Sequence, residues 1–334
     1  MNSGKKYNYC LDFIKGIACI FVVLIHCKFP GRVGLSVQAV ARFAVPFFFM
    51  VSGYYCFRNG SGSVGGGQVV DTLLVRKKIL RIAKITFWGY LFYCLFFVVE
   101  NWLIQANHTF DFSIIHILKV ALFNEPSNVP PHFWFLFALI NVYILYFFIV
   151  VFKIKKIGYI VSLLLFVVLI GLQQGASLMG YSIRPYYFRN FLFEGFPFFM
   201  LGYFLHDIEG KWKVSNRLLL TIIILSSFLS IAECYVFKKF IKVFLSTYPL
   251  VISLFVYAIN NPNKHKGAIQ LLGKNLSLPI YILHWFVMII VDRAIASGGF
   301  SGMTVVQWTR PVFVIGMTIL FSFLYDKTLR LKKA

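Results

Sequence analysis

An all-α bundle of about ten membrane-spanning helices is the fold this chain predicts, and three observations predict it. Hydrophobic residues make up 59% of the 334 and aromatic residues 19%, more apolar surface than one water-soluble globule can bury. Apolar runs near twenty residues long recur from end to end, each able to cross a hydrocarbon core about 30 Å thick. Between them, the Lys and Arg behind a formal net charge of +22 gather in short segments, as topology signals do and nucleic-acid surfaces do not. The expected partner is therefore the bilayer, and no nucleic acid is expected.

The spans are placed near 9–28, 36–57, 79–99, 131–152, 157–174, 188–206, 217–236, 243–260, 277–296 and 305–326. The run 112–123 is shorter and carries His116 and Lys119, which suits an interfacial helix. Lys5 and Lys6 before the first run resemble the start of a signal peptide. His26 and Lys28 stand where a small-residue cleavage site is needed, so the run reads as a retained span. Positive charge collects in 76–84, 153–156, 211–217, 264–274 and 327–333 and at Arg58. The opposite loops are poorer, with Lys238, Lys239 and Lys242 as the main exception, which predicts that both termini are cytoplasmic. Gly60, Gly62 and Gly65 satisfy G-x-G-x-x-G by spacing, but they follow an apolar span instead of a strand and read as a linker. Six scattered cysteines with no C-x-x-C pair indicate neither a disulfide framework nor a metal site. One domain over residues 1–334 is expected.

Candidate chemistry starts in the first span, where Asp12, Lys15 and Cys19 lead to His26. Lys15 and His26 share one helix face roughly 16 Å apart, and Asp12 lies one turn from Lys15, close enough to neutralise it. Ionisable groups in such a segment face a protein interior or water and mark function by default. The structural alternative is a terminal ion pair plus an interfacial histidine. Arg42, in the second span, needs an anion at that depth, and Glu194 or Glu233 is placed to supply it. A structural Arg–Glu pair locking two helices is the competing reading. Lys77, Arg81 and Lys84 fall at i, i+4 and i+7 with Arg76 and Lys78 flanking. This face can hold phosphates of a nucleotide-like donor or, as juxtamembrane clusters commonly do, serve topology and anionic lipids. His132, next to Pro130 and Pro131, reads as a solvated interfacial imidazole. His284 sits in the ninth span, where Pro279 is expected to distort the helix, and needs a hydrogen-bond partner there.

These residues resemble, in order and spacing, the membrane acyltransferase-3 family. Asp12, Lys15 and Gly16, then His26, match its opening motif of an acidic residue, Arg, Gly and a His eleven positions after the Arg. Arg42 with Val45-Pro46-Phe47-Phe48-Phe49, then Val51-Ser52-Gly53-Tyr54, are similar to its next elements. The basic stretch 76–81, Trp134-Phe135-Leu136, and 277–284 beside its S-x-x-I-Y-x-L-H, complete the set. Lys15 departs from the pattern, keeping the charge but losing the bidentate fork. The resemblance implies O-acyl transfer, commonly acetyl from acetyl-CoA, onto a hydroxyl of a cell-surface glycan or its lipid-linked precursor at the bacterial cytoplasmic membrane. It implies His26 as base or transient acyl carrier, with Asp12, Lys15, Arg42 and His284 in the catalytic set. Arg76, Lys77, Lys78, Arg81 and Lys84 would bind coenzyme A, while Trp134, Glu194 and Ser52 would bind the acceptor.

Two other function classes compete. A carrier or flippase for a lipid-linked saccharide would also place His, Arg and Glu inside the membrane, but no repeated halves are visible. A non-catalytic scaffold leaves the polar line of the first span unexplained.

Overall fold

A computed structural model describes residues 7–56, 66–126, 128–181, 183–211, 213–237, 241 and 243–331, without the side chains of 66–71 and 329–331. Arg58, most of the glycine-rich 60–67 stretch, Lys5, Lys6, Lys238, Lys239, Lys242 and the last three residues lie outside them. The described residues are helical with no strand, and eight helical stretches, Gly31–Tyr54 taken as one, are long and apolar enough to cross a membrane. The chain divides into two compact units, Met1–Phe48 with Glu209–Ala334, and Phe49–Ile208.

In the first unit, α1 (Tyr9–His26) begins where the Asn8 side chain accepts the Leu11 amide, the usual relief for an unpaired first-turn donor. Buried residues make up 56% of it, against 17% of the most apolar 18-residue stretch of α9 (Asn216–Phe237). α1 is therefore an interior helix and α9 a peripheral one, although both are apolar. α1 packs against α2 (Gly31–Ala41), α10 (Thr247–Asn260), α11 (Ala268–Ser297) and α12 (Thr304–Leu331). It meets α11 backbone to backbone. A Cβ on Gly16 would lie 2.1 Å from the Ile269 carbonyl oxygen, and one on Gly273 1.9 Å from that of Asp12. Only glycine allows this approach.

The expected second span is two helices. α2 stops at Ala41, Arg42 and Phe43 form a turn, and α3 (Ala44–Tyr54) follows. Pro46 is the cause: it has no amide proton, and its ring displaces the carbonyl of residue i−4, which is Arg42. In α11 the distortion expected at Pro279 appears just upstream, as a π turn over Leu272–Leu276. A bidentate Arg310–Asp292 pair, at 2.5 and 2.7 Å, ties α12 to α11.

The second unit contains α4 (Gly66–Ile104), α5 (Ile114–Phe123), α6 (Trp134–Phe152), α7 (Lys155–Leu178) and α8 (Phe196–Asp207). The apolar part of α4, Thr72–Ile104, is 33 residues and about 50 Å long, which lets its cationic start stand clear of a 30 Å core. α5 has no buried residue, as an interfacial helix should not. Gly53 and Gly202 bring α3 against α8, with Cβ positions 1.8 and 2.0 Å from the Phe199 and Met50 carbonyl oxygens.

Two expected spans are shorter than read. The one near 188–206 opens on a π turn, Phe191–Gly195, because Asn190 caps the Leu192 and Phe193 amides. The one near 243–260 begins at Thr247 because the Glu233 carboxylate accepts the Leu245 and Ser246 amides, at 2.8 Å each.

Gly16→Ala should lower the thermal unfolding midpoint of the detergent-purified protein, by overpacking worth about 1–3 kcal/mol. Gly171→Ala, with nothing within 4 Å of the new methyl, should leave it unchanged.

Candidate functional site

The polar line of α1 resolves into two clusters. At the N-terminal end, Lys15 Nζ donates to Asp12 Oδ1 at 2.9 Å, with side chains 16% and 7% exposed. The Tyr7 hydroxyl donates to the other carboxylate oxygen, and Gln270 Nε2 donates to Tyr7 at 3.2 Å. Lys274 sits over the Tyr7 ring at 4.7 Å. A nearly buried carboxylate is thus held by an ammonium and a phenol, the arrangement that makes a buried charge tolerable. Between the two ends, Cys19 Sγ lies 3.8 Å from the Ser277 carbonyl.

At the C-terminal end, His26 meets α11. Its ring centroid is 5.3 Å from that of His284 and 5.0 Å from that of Trp285, the latter pair T-shaped. His284 is 1% exposed, and its Nδ1 lies 2.7 Å from the Tyr281 carbonyl and 3.2 Å from that of Ile280. Carbonyls only accept, so Nδ1 carries the proton and Nε2 is the basic nitrogen of the neutral ring. A fixed tautomer is what a positioned base, or the partner of one, requires.

Arg42 lies in the α2–α3 turn of this unit. Glu233 is committed to the backbone cap described above, and Glu194, the other expected anion, belongs to the second unit.

The remaining expected residues are in the second unit. Lys77, Arg81 and Lys84 are exposed along α4. The flanking pair is engaged locally: Lys78 Nζ lies 3.0 Å from the Tyr55 carbonyl and from Cys56 Sγ, and Arg76 sits over the Phe147 ring at 5.4 Å. Ser52 hydrogen-bonds the Tyr143 side chain. Trp134 is buried under the Arg189 guanidinium at 4.9 Å. Glu194, 3% exposed, lies in the π turn that packs against α6. His132 is not the solvated imidazole expected. It is 2% exposed, against the rings of Tyr93 and Phe133, because the Pro131–Phe133 turn folds it inward.

Several polar residues here went unremarked in the sequence. Tyr7 precedes α1, so helical spacing does not link it to Asp12. Gln173 and Gln174, 4% and 7% exposed in a π turn of α7, do carry a signal: two adjacent amides inside an apolar run. On the segment before α5, Asp111 lies 2.6 Å from His116 Nδ1. The Ser113 amide, then its hydroxyl, then His116 and Lys119, hold the Asp111 carboxyl below the usual carboxylate range.

A family model described as an acyltransferase domain matches residues 8–327, a stretch that runs through both units. A serine/alanine racemase of Enterococcus gallinarum is 30% identical over 139 residues, 40% of this chain and 18% of that protein. The chain thus spans less than a fifth of that relative's length. No solved structure gives a significant match.

Asp12→Ala should cost about 1–3 kcal/mol of stability, since it strands the Lys15 ammonium and the Tyr7 hydroxyl. Asp12→Asn keeps an acceptor oxygen and should cost less. Thermal melts of the two variants in one detergent compare them, and equal loss would show that the contacts carry no stability.

Proposed function

The chain belongs to the acyltransferase-3 family of membrane acyltransferases, and from that premise we propose that it moves an acyl group, acetyl foremost, from acyl-CoA to a hydroxyl. The acceptor is a cell-surface glycan or its lipid-linked precursor, and the donor is cytoplasmic. The membrane is the bacterial cytoplasmic one, with both chain ends on the donor side. Residues 1–334 act as one functional domain, a reading supported by the single family model that runs through both units.

The observation that carries the proposal is the His26–His284 pair, brought together by α1 and α11 from opposite ends of the chain. A hydroxyl attacks a thioester only as its proton leaves. An imidazole is suited to take that proton near neutrality. His26 accepts it as the oxygen bonds to the thioester carbon; the C–S bond then breaks, and the departing thiolate takes the proton back. His284, with its tautomer fixed by Tyr281, braces His26 and shares the charge. Arg42 stabilises the oxyanion that develops on the carbonyl. Asp12 and Lys15 line the cytoplasmic approach. Lys77, Arg81 and Lys84, exposed along α4, hold coenzyme A phosphates, and Arg76 and Lys78 fix that helix. Trp134, Glu194 and Ser52 serve the acceptor. Racemisation, the activity in the relative's name, is not part of this proposal.

His26→Ala should lower acyl transfer by about 10²–10⁴-fold with the elution profile and melting temperature unchanged. Near-normal turnover of that variant would remove the histidine from the chemistry. Arg81→Gln with Lys84→Gln should raise the apparent KM for acyl-CoA and leave the acceptor KM unaltered, because these cations touch only the donor. A role in topology alone predicts less inserted protein with an unaltered donor KM.

A further inference from the structure

His26 is the last residue of α1. Helix ends fray, so an imidazole there needs holding from outside its own helix. α2 supplies one hold, with Gln38 Nε2 donating to the Ile25 carbonyl at 2.8 Å. The residue after the imidazole supplies another. Cys27 is 0% exposed, in an apolar plug with Val287, Met288 and Val291 of α11 and Val314 of α12.

The Asp292–Arg310 pair joins the two helices at the level of that plug. Asp292 directly follows Val291, Arg310 lies one turn before Val314, and both charges act on the Cys27 thiol. Trp308, from the same turn of α12, meets Phe29 at 6.2 Å. On α11, Trp285, Met288 and Asp292 fall at i, i+3 and i+7, one face of the helix. That face touches the His26 ring through Trp285 and, two turns later, the guanidinium through Asp292. Both side chains of the pair are partly exposed, 25% for Arg310 and 42% for Asp292, which weakens their attraction. What two parallel bonds add is geometry, because they fix distance and orientation together.

We propose that Asp292 and Arg310 are positioning residues for His26: their fork holds α11 against α12 around Cys27, and so sets the imidazole against Trp285 and His284. The effect on turnover rests on the function proposed above; the closing of the helix end does not.

The test compares Asp292→Asn, Arg310→Lys and the exchanged pair Asp292→Arg with Arg310→Asp, all in the full chain. Arg310→Lys keeps the charge and loses the fork. Turnover is read as radiolabel passed from acetyl-CoA to membranes of the expressing cells, per molecule of inserted protein. Closure is read as alkylation of Cys27 by N-ethylmaleimide in detergent, located by peptide mass spectrometry. Both single variants should lose turnover by about tenfold or more, as a reacting group displaced by a fraction of its own size does, with little change in melting temperature. Both should also expose Cys27, which the parent shields. The exchanged pair should shield Cys27 again and recover most of the turnover. Normal turnover in the single variants, or lost turnover with Cys27 still shielded, would overturn the proposal. Loss that the exchange does not recover would assign the effect to the Arg310 charge alone and overturn it too. A parent that passes no label would defeat the acyl-transfer reading, while Cys27 alkylation would still decide whether the pair closes the helix end.

Discussion

A helix that carries an aspartate, a lysine and a histidine through an apolar interior is stable only while each finds a partner, and the rest of the first unit is arranged around that constraint. α1 is the most buried of the eight spanning helices. Asp12 on it is buried, and Lys15 and His26 are only partly exposed. The backbone-to-backbone approach at Gly16 and Gly273 brings Gln270 and Lys274 to the Asp12 end. The same two helices then converge at the other end to bring His284 and Trp285 to His26. A close crossing at one end of a helix pair therefore sets the geometry of the imidazoles at the other.

Much of the fold was legible in the sequence, and the exceptions have identifiable causes. The span read as 131–152 has those ends in the structure, and 217–236 differs by one residue at each end, because in both an unbroken apolar run meets charge or proline. The α2–α3 break escaped because residues 41–44 stay apolar around Arg42. Hydropathy does not register a missing hydrogen bond, although Pro46 announces one by the i−4 rule. α10 starts late because its cap, Glu233, comes from another helix. No local pattern encodes that.

The candidate site was legible by residue type, not by arrangement. Asp12 and Lys15 lie one turn apart, and their contact follows from helix geometry alone. His26 and His284 do not, and only the packing of the first helix against the eleventh pairs them. The basic stretch of α4 shows the limit most clearly. Of five cations read as one surface, four are exposed, yet one of these, Arg76, lies over the Phe147 ring, and the half-buried Lys78 braces the helix on Tyr55 and Cys56. Sequence spacing gives the face a side chain leaves from; the neighbouring helix decides whether it stays free for a ligand.

The three π turns among the described residues suggest why these distortions are retained. Each costs regular hydrogen bonding in a setting where the backbone has few other partners. Each also coincides with buried polar chemistry: Gln173 and Gln174 in the first, Glu194 in the second, and in the third Gly273 against the Asp12 carbonyl. A regular α-helix advances 100° per residue and aims adjacent side chains apart. Widening one turn lets Gln173 and Gln174 both stay inside, and lets the α11 backbone approach α1 without a side chain between them. In an apolar bundle, local irregularity is thus tolerated where it re-aims a polar group inward, and the positions of the irregularities trace the polar interior from which this protein's chemistry must be built.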